Sequence, residues 1–236
     1  MAEHFKISLS DSESVSGLYY PADETKQRAV TLTLGHGAGA GQTSGFMVLF
    51  AGGLAERGLD VVTFNFSYTE RGRHAPDPGP KLESCYLSVI EAVRTRHGLE
   101  RNKLIIGGKS MGGRIASQAA AKVAGTPEDH IDGLVFLGYP LHPPGKPEQL
   151  RDKHLSKILA PMLFVQGSRD AFGTPDELKP VLAGVKALHT LYPIESGDHS
   201  FKVPKKVGTP QDKVYSDIMD KIADWAQEVA RADSSA

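Results

Sequence analysis

Short, almost uninterrupted apolar runs alternate along this chain with stretches of helical periodicity, and that alternation limits the possible folds more than any other feature. Ala29–Leu34, Val61–Phe66, Leu104–Gly108, Leu134–Tyr139, Met162–Gln166 and Ala187–Ile194 read as strands. Their continuous apolar character, rather than strict alternation, implies burial on both faces. Between and after them, Phe46–Arg57, Lys81–Arg96, Gly112–Ala124 and Gln211–Ala230 read as helices, with Gly58 and Gly98 as closing residues of the first two. Phe5–Leu9 and Val15–Tyr20 read as an opening hairpin. Strand–helix alternation of this kind predicts the α/β class: a doubly wound, mostly parallel sheet flanked by helices. A chain of 236 residues accommodates it as a single domain, with a frayed tail from about residue 231 to 236. The connection from Pro140 to Ala160 holds four prolines and a short helical stretch near Glu148–Leu159, too little for a separate cap domain.

Ligands of such sheets sit outside the carboxyl ends of the strands, so polar residues just after strands carry the chemistry. One of them is Ser110, in Gly108-Lys109-Ser110-Met111-Gly112, between an apolar strand and a small-residue helix. Strand, sharp turn and helix around G-x-S-x-G is the setting that exposes a nucleophilic hydroxyl. Later strand ends carry Gly167-Ser168-Arg169-Asp170 and Gly197-Asp198-His199-Ser200-Phe201. Ser110, Asp170 and His199 therefore follow different strands in the order serine, acid, histidine. A serine hydroxyl needs an imidazole to take its proton, and a carboxylate to fix that imidazole's tautomer. The oxyanion formed needs preorganised N–H donors. Met111, after the serine, and Ala38, in Gly35-His36-Gly37-Ala38-Gly39, are placed to supply them.

These four motifs together resemble the α/β-hydrolase superfamily over roughly Val15 to Ala230. They look most like small bacterial hydrolases related to testis-expressed protein thirty and to a non-catalytic chromatin-complex subunit. Dienelactone hydrolases and acyl-peptide-type esterases are more distant likenesses. The resemblance implies an α/β-hydrolase fold and a carboxylesterase-like serine hydrolase working through an acyl-enzyme. A serine peptidase on the same triad, or a fold retained as a non-catalytic interaction module, are the alternatives.

Each residue has a plainer reading. Ser110 fits a helix N-cap, Asp170 a turn and His199 a surface loop. Asp176, Glu177, Glu195 and Asp198 compete with Asp170 for the acid's role. His36 is expected to order the oxyanion loop, with substrate contact as its second possibility. His74 and His142 are expected in solvated loops. Arg71, Arg73, Lys109 and Arg114 are expected to solvate or pair near the site, the sharper alternative being that Arg73 holds a carboxylate or phosphate of the substrate. Gly108-Lys109-Ser110 imitates the end of a P-loop, but that motif needs glycine at position 103, which is Lys103. The Gly35–Ala40 stretch imitates a dinucleotide fingerprint, but the following strand ends Phe64-Asn65-Phe66-Ser67 without the acid that holds a ribose. No His, Asp or Glu cluster has metal-ligand spacing.

Composition narrows the partners. A net charge of −1 gives no field favouring nucleic acid or an anionic membrane. A single cysteine, Cys85, fits a reducing, cytoplasmic setting, as does an N-terminal stretch without the basic start and apolar core of a signal peptide. The expectation is a cytoplasmic enzyme with a small-molecule acyl substrate, no metal or organic cofactor, and no nucleic-acid or membrane partner. The residues fix no oligomeric state. Without a cap, the cleft should be shallow and open, suiting small esters, thioesters, lactones or peptide ends better than long lipid chains.

Overall fold

The computed structural model describes residues 2–232. Its strands are β1 (Glu3–Ser8), β2 (Ser14–Tyr20), β3 (Val30–Gly35), β4 (Asp60–Phe64), β5 (Lys103–Lys109), β6 (Gly133–Leu137), β7 (Met162–Gly167) and β8 (His189–Ile194). The α-helices are α1 (Gly45–Ala55), α2 (Ser67–Glu70), α3 (Gly79–Arg94), α4 (Met111–Val123), α5 (Pro175–Leu182) and α6 (Gln211–Ala232). The eight strands form one sheet in the order β1-β2-β4-β3-β5-β6-β7-β8. β2 runs antiparallel to both its neighbours, and every other pairing is parallel. This is the doubly wound, mostly parallel sheet expected, opening hairpin included.

Every residue of β3, β4, β6 and β7 is buried, which accounts for their continuous apolar runs. Successive side chains go to opposite cores. Leu104, Ile106, Phe136 and Phe164 pack under α3, α4 and α5. Ile105, Val135, Leu137 and Val165 pack under α1 and α6. β8, at the sheet's edge, is largely half-exposed and carries Pro193, which an edge strand tolerates. On α3, Leu82, Cys85, Tyr86, Val89, Ile90 and Val93 form the buried face at helical spacing. α4 is built from small residues, with Gly112, Gly113, Ala116, Ala119 and Ala120 buried against the sheet.

Some boundaries differ from the sequence expectation. Gly58, at φ 88°, closes α1 as expected: Gly58 N–H donates to Ala55 O at 3.0 Å and Leu59 N–H to Leu54 O at 3.3 Å. Gly98 does not close α3. That helix stops at Arg94, and the Thr95 hydroxyl donates to Glu91 O at 2.9 Å. The helix expected near Glu148–Leu159 is reduced to a 3₁₀ turn at Leu155–Lys157. Tertiary bonds hold the start of that segment out of a helix: Arg151 N–H donates to Leu141 O at 2.8 Å, and Tyr139 Oη–H to Arg151 O at 2.7 Å. The short α5 was not anticipated from periodicity. A reciprocal cap starts it, with Glu177 N–H on Thr174 Oγ1 at 3.3 Å and Thr174 N–H on the Glu177 carboxylate at 2.7 Å. Arg231 and Ala232 belong to α6, and the rest of the expected frayed tail lies outside the described residues. Among the described residues, no helix is long and apolar enough to cross a membrane.

At the centre of the sheet, the fully buried Tyr86 of α3 ties β3 to β5. Its hydroxyl lies 2.9 Å from Thr33 O and 2.6 Å from Gly107 O, and it accepts Gly107 N–H at 3.0 Å. Tyr86→Phe should lower unfolding free energy by about 1–3 kcal/mol, since buried polar groups lose a partner. Urea unfolding monitored by circular dichroism checks this; an unchanged midpoint would show the hydroxyl to be dispensable.

Candidate active site

The Gly35 and Lys109 ends of the adjacent parallel strands β3 and β5 open into two loops that meet. Ser110 lies between β5 and α4 at φ 51°, ψ −115°, a costly backbone geometry for a residue with a side chain. Glycines make the turn possible. Gly108 sits at φ 151°, and a Cβ on Gly108 or Gly112 would collide with the Gly35 carbonyl oxygen. The turn thus brings α4 against β3 and sends the Ser110 hydroxyl outward.

His199 meets that hydroxyl. Its Nε2 is 2.8 Å from Ser110 Oγ, and its Nδ1 is 2.7 Å from Asp170 Oδ2. With Nδ1–H donated to the carboxylate, Nε2 is left as acceptor for the serine proton. The Asp170 side chain is fully buried, and its remaining acceptor sites are occupied. Phe172 N–H donates to Oδ1 at 2.8 Å, and Gln166 Nε2–H donates to Oδ2 at 2.9 Å. Gln166, also fully buried, accepts Tyr139 N–H at 2.8 Å and so braces the acid against the β6 exit. The Phe172 ring stacks on the His199 imidazole, with centroids 4.3 Å apart. Three of the four competing acids are used elsewhere, and the fourth, Glu195, is exposed. Asp198 accepts the Ser200 and Lys202 amides, Glu177 caps α5, and Asp176 pairs with Lys179. Gln166 and Phe172 were not singled out from the sequence. A glutamine ending the apolar run Met162–Val165 was the available signal for the first; nothing marked the second.

The Ala38 and Met111 amides flank this point, and among the described residues neither has a hydrogen-bond partner. Met111 is the first residue of α4, where N–H groups lack intrahelical acceptors. His36 is fully buried behind the first loop. Its Nδ1–H donates to Gly37 O at 2.8 Å, while Nε2 lies 3.3 Å from Phe66 N and 3.2 Å from Thr69 Oγ1. Burial holds its pKa below the ordinary histidine value, leaving a neutral ring. The substrate contact allowed for His36 is therefore corrected: fully buried and enclosed by Phe66 and Tyr68, it packs behind the loop and does not line the cleft at Ser110. Arg73 is likewise not brought to the serine. It pairs with Asp77 and lines a neighbouring groove with Thr43 and Thr69. His74 is exposed, as expected, but His142 is not a solvated residue. Its ring is buried, with Nδ1 2.9 Å from Pro143 O and Nε2 3.3 Å from a Glu177 carboxylate oxygen. Among the described residues, no three His, Cys, Asp or Glu side chains are grouped to hold a metal ion.

The serine opens into a cleft of about 670 Å³, walled by Phe46, Met47, Leu82, Met111 and Phe172. Lys109 lies at its base, buried, with Nζ donating to His199 O at 2.6 Å and facing the Phe46 and Phe201 rings at 5.7 and 5.9 Å. Burial lowers its pKa to about 8, against the opposing pull of Asp170 and Asp198. Because the folded pKa lies below the unfolded value, the unfolded chain binds more protons between them, and stability rises with pH across that window. Between pH 8 and 10 the wild type should gain ~2 kcal/mol relative to Lys109→Met, read from paired urea titrations. Parallel stability curves for the two proteins would show that Lys109 is not desolvated in this way.

Comparison with known proteins agrees with this architecture. A dienelactone hydrolase from Anabaena variabilis superposes with a TM-score of 0.74 at 17% identity, covering 95% of this chain and 96% of that one. An α/β serine hydrolase homologue from Coxiella burnetii gives 0.72 at 17% identity, covering 94% and 95%. An α/β serine hydrolase without a lid from Xanthomonas campestris gives 0.70 at 18% identity, covering 98% and 94%. At these identities the likeness is one of fold. The sequence itself matches the pattern of the alpha/beta hydrolase domain over residues 28–227, a span holding every site residue described above. On that match, the chain belongs to the alpha/beta hydrolase domain family.

Proposed function

We propose that this protein is a serine hydrolase that cleaves a carboxylic ester or related acyl bond through an acyl-enzyme. The observation that carries the reading is the continuous line from Ser110 Oγ through His199 to Asp170, at 2.8 and 2.7 Å, beside two unpartnered amides. Ser110 attacks the carbonyl carbon as its proton passes to His199 Nε2. The Met111 and Ala38 N–H groups receive the oxyanion, a contribution of about 3–4 kcal/mol for each such donor in well-studied cases. The carbon–oxygen bond to the leaving group breaks, and the imidazolium returns the proton to that group. Water then attacks the acyl-enzyme, giving one proton to His199, and collapse releases the acid as His199 reprotonates Ser110. Asp170 stays ionised throughout, holding the tautomer and stabilising the imidazolium. Gln166 and the Phe172 amide keep that carboxylate aimed at Nδ1.

The chemistry drawn here needs neither metal nor organic cofactor. The same reading takes the chain as one domain acting in the cytoplasm on a small-molecule acyl substrate, without nucleic acid or membrane as partner. A single buried cysteine supports that compartment. The open apolar cleft supports a small acyl group rather than a long lipid chain.

A fluorophosphonate probe should label Ser110, and labelling should vanish in Ser110→Ala and His199→Ala. Absence of labelling in folded wild-type protein would return the chain to the non-catalytic alternative. In Asp170→Asn, kcat for an aryl ester should fall about 10³–10⁴-fold with little change in melting temperature. Retention of more than a tenth of wild-type kcat would remove Asp170 from the mechanism. Comparing aryl esters with matched peptide amides separates an esterase from a peptidase.

A further inference from the structure

Two guanidinium groups share the cleft with Ser110 and have no carboxylate to pair with. Arg114 and Arg151 both line it, and among the described residues neither forms an ion pair. Arg114 stands one helical turn beyond the serine, its N–H donating to Ser110 O at 3.1 Å. Its Nη1 donates to Gln118 Oε1 at 3.2 Å, but its Nε is buried without any partner. Arg151 approaches from the β6–β7 connection, anchored through both its amide and its carbonyl. The two are close enough for the Arg151 charge to add to the desolvation that depresses Arg114.

The rest of the cleft does not neutralise them. Lys109 adds a third cation, already directed at His199 O. The one carboxylate on the cleft wall, Asp77, pairs with Arg73 through Oδ1 and keeps a buried Oδ2 without a hydrogen bond, but it makes no ion pair with Arg114 or Arg151. Glu83 and Tyr139 act on Arg114 only through their charge and make no ion pair with it. A chain whose net charge is −1 thus concentrates cations beside its nucleophile. A half-buried guanidinium with an unmade donor is costly, and a ligand anion offsets that cost.

We infer that Arg114 and Arg151 form an anion subsite, and that the substrate is an ester of a dicarboxylic acid, with one carboxyl free and the other esterified. This rests on the hydrolase reading. The acyl side is chosen because the acyl group stays on Ser110 through both half-reactions, so an anchor one turn from the serine serves each. Carboxylate is chosen over phosphate because Asp77 on the cleft wall opposes a dianion more strongly than a monoanion. Phe46, Met47 and Leu82 then flank the methylene chain between the two ends. The anion site considered for Arg73 from sequence moves to these two residues.

The test compares the aryl ester of hexanoic acid with the mono-aryl ester of adipic acid, which differ in the terminal carboxylate. Wild-type kcat/KM should favour the adipate ester at least tenfold, and added salt should narrow the gap. Arg114→Gln and Arg151→Gln should each bring the ratio to within about twofold of unity, whatever happens to either rate alone. Equal kcat/KM for the two esters in wild type, or a gap surviving both substitutions, overturns the subsite and leaves the hydrolase reading intact. Failure of Ser110 to react with a fluorophosphonate would overturn the hydrolase reading instead. Binding to Ser110→Ala by calorimetry needs no turnover. There monomethyl adipate should bind at least tenfold tighter than methyl hexanoate, and the difference should disappear with either arginine. Equal binding, or tighter binding of a matched phosphate-ended ester, overturns the proposal. Should Arg114→Gln melt early by circular dichroism, Arg151→Gln, on a connection between strands, carries the comparison.

Discussion

The contact that organises this protein is the approach of Gly108 and Gly112 to the carbonyl of Gly35. No side chain fits there, so α4 can lie directly against β3. That closeness forces Ser110 into its positive-φ conformation and brings the loop after β3 beside the start of α4. Ala38 and Met111, remote in sequence, then line the same cleft. Tyr86 holds the same two strands together from below, with its hydroxyl against both backbones. The geometry around the serine follows from backbone packing at the middle of the sheet, where both faces are covered and displacement is costly.

Around this rigid centre, polar groups are either fully occupied or conspicuously open. Asp170 has each carboxylate oxygen claimed, and the Gln166 that restrains it is itself held by Tyr139 N–H. Lys109 gives its ammonium to a backbone carbonyl of the His199 loop. Saturation of this kind favours a fixed orientation, because each group that turns leaves another unpaired. Arg114 and the two amides depart from it, and all three sit in the wall of the cleft. These three donors face the cleft, where a ligand would supply acceptors.

The strand ends were readable in the sequence because fully buried strands leave uninterrupted apolar runs, and a polar residue stopping such a run stands out. Ser110 and Asp170 are legible for that reason, whereas His199 follows the half-exposed edge strand β8 and is legible by its place after the other two; the strand order then brings the three within hydrogen-bond reach. Other features depend on tertiary contacts with no local signature. The Glu148–Leu159 stretch has helical composition, but bonds from Arg151 to Leu141 and Tyr139 leave it a run of turns. α5 is too short for periodicity, and its Thr174–Glu177 cap is the only local mark. Arg151 is one charge among several in a proline-rich connection, and only the fold turns it toward the serine. His142 looks like any loop histidine until Phe172 and Glu177 close over it. Arg73 follows β4, as a substrate contact could, but Asp77, four residues on, occupies it.

His36 shows what it costs to build an oxyanion loop on an imidazole. The ring joins three segments only while its Nε2 carries no proton, because that nitrogen faces the Phe66 amide and the Thr69 hydroxyl. Acid turns the acceptor into a donor opposite another donor. Its folded pKa lies below the unfolded value, so the unfolded chain gains the proton first, and support for the loop weakens as pH falls below about 6.5. The loop bearing Ala38 therefore has an acid limit of its own. It would persist as an acid-side loss of stability in a His199→Ala protein, and a flat curve there would deny it. A residue buried behind the loop would then set the lower pH at which the loop keeps its shape.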